Sequence, residues 1–277
     1  MSVIKVDSLT RDYGGQKGVF DVSFHVDQGE AFGFLGPNGA GKTTTIRHLM
    51  GFLKPKAGSC TIDGLDCWHE REQVQARLGY IPGEISFFED MSGTEFLKFI
   101  AEYRRIGSLN RRDELLERFA LDPKGRIKKM SKGMKQKLGI VAAFMHDPDI
   151  LILDEPTSGL DPLMQSRFID LIAEEKKHGK TILMSSHMFE EVERTCDRIG
   201  IIRNGRMVAV DAAAALRERH TRRYTVTLGN EAEARAFALD FNGVCNGLEV
   251  TVTTKQSLEE IFMNYYGGET HAEHGTV

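Results

Sequence analysis

Gly36-Pro37-Asn38-Gly39-Ala40-Gly41-Lys42-Thr43 is the stretch from which the rest of the chain can be read. It fits G-x-x-x-x-G-K-[ST], a loop whose glycines let backbone N–H groups turn inward around phosphate oxygens. Upstream, Glu30–Leu35 is a compact apolar run that reads as a buried strand. Downstream, Thr43–Gly51 has helical spacing, with Ile46, Leu49 and Met50 on one side. Strand, glycine loop and helix make half of a βαβ unit, and the helix points its positive end at the loop. In that setting Lys42 reaches the β- and γ-phosphates of a nucleotide, and the Thr43 hydroxyl takes a place on Mg2+.

Outward from the loop, Val3–Leu9 and Val19–Val26 alternate apolar and polar residues around the turn Tyr13-Gly14-Gly15, so the N-terminal part reads as antiparallel β. Ser92 followed by Glu95 opens a capping box, and helical spacing continues through Arg111–Phe119 and Gly133–His146. Residues 92–146 therefore read as a helical insertion. From Arg104 to Lys137 it holds 12 Lys and Arg against 4 Asp and Glu, a local excess of 8 positive charges. A solvated helical face or an anionic partner would both account for that run. Strands and helices then alternate: Ile150–Leu153, Leu163–His178, Thr181–Ser185, Phe189–Cys196 and Arg198–Ile202, the last closed by Asn204-Gly205. The expected fold is α/β, a mostly parallel sheet with helices on both faces. An Ala-rich helix is expected around Asp211–Arg219. Beyond it, strands Arg223–Leu228 and Leu248–Thr253 and helices Ala232–Asp240 and Ser257–Tyr266 form a small α+β appendage with a disordered tail from Gly267. The expected domains are 1–216 and 217–277.

The second chemical element is Ile150-Leu151-Ile152-Leu153-Asp154-Glu155. An apolar strand ending in carboxylates places them at the sheet edge where α/β folds bind ligands. Asp154 is positioned to support Mg2+, and Glu155 to polarise a water aimed at the γ-phosphate. With Met130-Ser131-Lys132-Gly133-Met134-Lys135-Gln136, Ser158-Gly159-Leu160-Asp161, His187 and Tyr13 in order along residues 1–215, the chain resembles the ATP-binding subunit of an ATP-binding-cassette (ABC) transporter, a P-loop NTPase. The segment at Ser131 resembles the family's signature, L-S-G-G-Q, and the segment at Ser158 its D-loop. His187 stands at the family's switch histidine and Tyr13 at its adenine-stacking aromatic. The form S-K-G-M-K-Q is similar to the type-2 (ABC-2) exporter branch.

The resemblance implies an enzyme that hydrolyses ATP with Mg2+. ATP would be bound by Tyr13, Gly36, Pro37, Asn38, Gly39, Ala40, Gly41, Lys42, Thr43 and Thr44, and by Ser131 and Gly133 acting on a second subunit's nucleotide. Thr43 and Asp154 would serve the metal, and Glu155, His187 and Lys42 the catalysis. Taken alone, Ser131 is also a plain helix N-cap, Tyr13 a turn residue, and His187 a surface side chain. The resemblance further implies a dimer, of two identical chains in preference to two different ones, and a separately encoded transmembrane permease, with this chain peripheral on the cytoplasmic face of the membrane. Lys132 departs from the usual Gly of the signature, so its side chain must point away from the nucleotide or add charge near it. Gly83, in Leu78-Gly79-Tyr80-Ile81-Pro82-Gly83, departs from the usual Gln, for which Glu84 would need a shifted backbone.

Composition sets the outer bounds. The chain has 277 residues, 41% hydrophobic and 27% charged, enough for a core without staples. A net charge of −4 argues against a dedicated nucleic-acid binder. Cys60, Cys67, Cys196 and Cys245 show no zinc spacing and read as free thiols. No run has the length of a spanning helix. Two other readings stay open: a soluble ABC ATPase without a membrane role, and a regulatory nucleotide-binding module without turnover. Ile85, Phe87, Phe88, Phe96, Leu97 and Phe99 are candidates to line a groove for the permease, or ordinary core.

Overall fold

The structure, a computed structural model, describes residues 1–215 and 221–255, with side chains from 224 to 252 in the second stretch. The expected helix Ser257–Tyr266 and the tail from Gly267 lie outside the described residues. The chain divides into two compact units after Val210.

The first unit begins with a four-stranded sheet. Strands β1 (Ser2–Asp12) and β2 (Gly18–Asp27) pair antiparallel, with Val6 opposite Phe24. The far edge of β1 carries β4 (Ala57–Ile62), which turns into β5 (Leu65–Asp66), giving the order β2-β1-β4-β5. Alternation sends Ile4 and Val6 of β1 and Val22, Phe24 and Val26 of β2 into the core, as their period-2 spacing requires.

The second sheet is six-stranded, in the order β10-β9-β3-β8-β7-β6, from β3 (Ala31–Leu35), β6 (Leu78–Ile81), β7 (Ile150–Asp154), β8 (Thr181–Ser186), β9 (Arg198–Arg203) and β10 (Arg206–Ala212). The pairs β6–β7, β7–β8, β8–β3 and β3–β9 are parallel. Every residue of β3, β7 and β8 is buried, which is why these strands read as continuous apolar runs. Register decides the function of this sheet: Asp154 lies opposite Ser185, and Leu35 opposite Ser186. The loops leaving the C-terminal ends of β3, β7 and β8 therefore open side by side.

Helices α1 (Lys42–Leu49), α2 (Arg71–Arg77), α6 (Pro162–Lys177) and α7 (Phe189–Thr195) belong to this core, and α3 (Gly93–Tyr103), α4 (Asn110–Arg118) and α5 (Lys132–Phe144) to the insertion. The expected capping box opens α3: the Ser92 Oγ accepts from Glu95 N, and the Glu95 carboxylate accepts from Ser92 N at 2.7 Å. Part of the positive run along the insertion is taken up by the core, while Arg105, Lys124, Arg126, Lys128, Lys129 and Lys132 are exposed. Arg104 donates to the carbonyls of Gln75, Ala76 and Leu78, Arg111 pairs with Glu175, and Arg118 grips Glu174 through two nitrogens. Three of the arginines thus fasten the insertion to the core.

Two sequence expectations change here. Residues 52–91, where spacing suggested no element, contain β4, β5, α2 and β6; in β4 only Cys60 and Ile62 are buried, too few to announce a strand. Asp211 and Ala212 complete β10, so the expected Ala-rich helix opens two residues later, at Ala213, and is helical through Ala215; Arg219 lies outside the described residues. The second unit contains β11 (Thr221–Thr227), β12 (Val244–Asn246) and β13 (Glu249–Lys255) in the order β11-β13-β12, with α8 (Glu231–Asp240) burying Ala234.

Candidate active site

The glycine loop sits where β3 ends and α1 begins. Its geometry explains its composition. Gly41 has φ 112°, and a Cβ there would lie 2.8 Å from Val19; at Gly36 a Cβ would meet the Ile202 carbonyl at 2.6 Å. Neither position has room for a side chain. Asn38 and Gly39 are exposed, while Ala40 is buried. Gly41 is the N-cap of α1 and no side chain caps it, so the first-turn amides of α1 are donors free to meet an anion. Thr43 and Thr44 stand half-buried in that first turn. Lys42 is only 4% exposed, and its ammonium donates to Gly36 O at 2.6 Å and Pro37 O at 3.2 Å.

The same ammonium lies 3.3 Å from Glu155 Oε1, and Glu155 Oε2 lies 3.3 Å from His187 Nδ1. Three residues far apart in sequence thus form one line of contact, Lys42–Glu155–His187, across the ends of β3, β7 and β8. Glu155 adopts a left-handed backbone, φ 48°, which a non-glycine residue keeps only when its surroundings impose it. Here its N–H donates to both the carbonyl and the hydroxyl of Ser185.

Asp154, one residue earlier, is fully buried. Its Oδ1 accepts from the Ser185 hydroxyl, while Oδ2 has no hydrogen-bond partner among the described residues. A buried carboxylate oxygen without a donor is expensive unless a cation or its water shell faces it. Asp154 therefore fits a hard cation such as Mg2+, with the Thr43 hydroxyl as a further oxygen donor. Gly83 faces the same oxygen: a Cβ at Gly83 would lie 3.1 Å from Asp154 Oδ2. The backbone at 83 thus closes on the carboxylate, and Glu84 is exposed.

Ser131 caps α5, its Oγ accepting from Met134 N at 3.2 Å. Gly133 packs on the segment after β7: a Cβ there would lie 2.8 Å from Gly159 O. Lys132 turns away from the helix, lies over Gly159 and donates to Ser158 Oγ at 3.1 Å. Ser131 and Gly133 make no hydrogen bond to the glycine loop among the described residues. Tyr13 is half-exposed in the β1–β2 turn, with the Arg11 guanidinium 5.5 Å over its ring. The same hairpin reaches the glycine loop at Gly18 and Val19.

A family profile described as "ABC transporter" matches residues 19–158. The bacitracin transport ATP-binding protein BcrA of Bacillus licheniformis is 38% identical over 238 residues, covering 84% of this chain and 77% of that one. The chain belongs to the ABC transporter family. The linearmycin resistance ATP-binding protein LnrL of Bacillus subtilis is also similar to this ABC protein, 33% identical over 255 residues, 90% of this chain and 82% of that one. A solved ATP-binding subunit of an ABC transporter superimposes with a TM-score of 0.71 at 34% identity, over 78% of this chain and 92% of its own. The chain is an ATP-binding subunit and an ATPase working on ATP with Mg2+. Among the described residues, no helix of this ABC subunit is long and apolar enough to cross a membrane.

Several residues of this ABC site escaped the sequence reading. Ser185 holds both Asp154 and Glu155, Tyr80 lies near Asp154, and Glu191 is buried behind the site with Thr157 and Ser186. Burial and the charge of Asp154 push the Tyr80 phenol up to about 12, so it stays protonated. Only Ser185 and Ser186 had a signal, as hydroxyls ending a strand that otherwise reads as core.

Proposed function

We propose that this chain is the energy-supplying ATPase of a type-2 ABC exporter, with residues 1–216 as the catalytic cassette and 217–277 as an accessory unit. The observation that supports it most is the Lys42–Glu155–His187 line beside a buried, donorless oxygen of Asp154. Loop amides from Gly36 to Thr43, with Lys42 and Thr44, hold the triphosphate, and Tyr13 offers a flat face to adenine. Thr43 and Asp154 would hold Mg2+, which would supply positive charge against the charge that develops in phosphoryl transfer. Glu155 takes the proton of the attacking water, whose oxygen bonds to the γ-phosphorus as the bond to the β–γ bridging oxygen breaks, releasing ADP and phosphate. His187 holds Glu155 in line and donates toward the γ-phosphate. Ser131 and Gly133 complete the nucleotide site of a second, identical subunit.

The chain sits on the cytoplasmic face of the membrane against a separately encoded permease. Bacitracin transport and linearmycin resistance, in the names of the relatives, favour export. For the permease, a cleft of about 290 Å3 between α3, α5 and β6 supplies a groove lined by Phe52, Tyr80, Ile85, Phe87 and Phe96. Phe87 and Phe96 meet edge to face at 5.0 Å; Leu97 belongs to the core, and Phe88 and Phe99 are exposed beside the cleft. Pro82 lines the same cleft one residue before Gly83, so an occupant pressing there would move the backbone facing Asp154. The test is co-expression with a candidate transmembrane permease. The wild type is expected to cofractionate with membranes and Phe87→Ser/Phe88→Ser to lose that association; retained association would count against the groove.

A further inference from the structure

Behind the site, a second carboxylate joins the two loops that carry Glu155 and His187. Glu191, in the first turn of α7, is 3% exposed and touches neither Lys42 nor Glu155 directly. Its Oε1 accepts from the Thr157 hydroxyl, and its Oε2 accepts from the Ser186 hydroxyl at 2.8 Å. Thr157 and Ser186 are themselves 3% and 2% exposed. Thr157 stands two residues after Glu155; Ser186 stands immediately before His187. The Ser186 oxygen also accepts from Met188 N at 2.8 Å, which fixes the turn that carries His187.

We propose that Glu191 is a positioning residue for hydrolysis, a buried clamp that sets the spacing of Glu155 against His187. The proposal rests on the roles given to those two residues above. Its physical ground is the strained backbone at Glu155. A left-handed non-glycine residue holds its place only when the chain on both sides is tied down. On one side Ser185 does this through the amide of Glu155. On the other, Ser158 N donates to Glu155 O at 3.1 Å to close the turn, and the Thr157–Glu191 bond anchors that turn to α7. A carboxylate has two acceptor oxygens and takes one hydroxyl on each. Burial pushes the Glu191 carboxyl upward, the two hydroxyls oppose that shift, and His187 opposes it further. The clamp and the switch histidine are thus in electrostatic contact without sharing a bond.

The test measures kcat, ATP affinity and Tm together in Glu191→Ala, Glu191→Gln and Thr157→Val, with Glu155→Gln and His187→Ala run beside them. Glu191→Ala should lower kcat by about 10–100-fold, the loss expected when a catalytic group drifts by up to an ångström, with ATP affinity within about twofold of wild type. Glu191→Gln keeps one acceptor and gains a donor toward the other hydroxyl, so it should recover most of the loss. Thr157→Val should reduce kcat and add little further loss to Glu191→Ala, since both cut the same tie. If Glu191→Ala is folded at assay temperature and turns over like wild type while Glu155→Gln does not, the clamp is refuted and the site stands. The clamp is also refuted if Thr157→Val, the milder change, lowers Tm with kcat intact. Full turnover in Glu155→Gln would overturn both readings.

Discussion

Gly133→Ala puts one methyl group between the signature segment and the loop that follows Glu155. The added Cβ would lie 2.8 Å from the Gly159 carbonyl oxygen, about 0.5 Å inside an ordinary C···O approach. Gly159 is not free to withdraw, because Lys132 lies over its other side and bonds Ser158. Forcing such a methyl group into a packed site costs about 1–3 kcal/mol, and alanine in a helix returns at most about 1 kcal/mol. A net loss of about 1 kcal/mol lowers Tm by roughly 2–4 °C in a unit of this size. The displaced loop reaches Glu155 through Ser158 N, which donates to Glu155 O. A shift of about half an ångström there should cost about tenfold in turnover. Gly125→Ala is the control: a Cβ there meets nothing within 4 Å and φ is not positive, so it should be neutral or stabilise by about 0.4–1 kcal/mol. The assays are thermal unfolding and phosphate release. Wild-type Tm and turnover in Gly133→Ala would refute the packing argument.

Ser185→Ala removes the donor to Asp154 Oδ1 and should raise the Mg2+ concentration needed for half-maximal turnover by about tenfold, read from a Mg2+ titration. Glu175→Ala removes the buried partner shared by Arg111 and Lys180, which keep Glu114 and Asp147, and should destabilise the cassette by about 1–3 kcal/mol in denaturant unfolding. His146 gives a pH signature. Burial, aided by Arg104, lowers its pKa from 6.5 to about 4, so the unfolded chain binds a proton that the folded chain refuses between those values. Stability contributed by neutral His146 is whole above pH 6.5 and lost as pH falls toward 4. His146→Gln should flatten the dependence of Tm on pH across that window; an unchanged slope would contradict the assignment.

The glycine loop was legible in the sequence because its chemistry is local: backbone amides, a lysine and a hydroxyl within eight consecutive positions. Asp154 and Glu155 were legible because a fully buried parallel strand leaves a continuous apolar run, and the acids end it. What brings Lys42 and His187 each to 3.3 Å from Glu155 is strand register, which no spacing along the chain encodes. The direction of Lys132 and the roles of Ser185 and Glu191 are equally tertiary, since their partners lie far away in sequence. The partners of Arg118 and Arg111 stayed hidden for the same reason: Glu174 and Glu175 belong to α6. Strand β4 stayed hidden because Ala57-Gly58-Ser59 is exposed and its ladder to β1 rests on main-chain bonds.

Glu155→Gln tests the account most directly, with ATP affinity and Mg2+-dependent phosphate release measured on the same purified chain. Glutamine keeps the shape and can still accept from Lys42, but it cannot take a proton from water. Turnover should fall by about 100–10,000-fold while ATP affinity stays within about threefold of wild type. Undiminished phosphate release from Glu155→Gln, or a wild type that binds ATP and releases none, would contradict it.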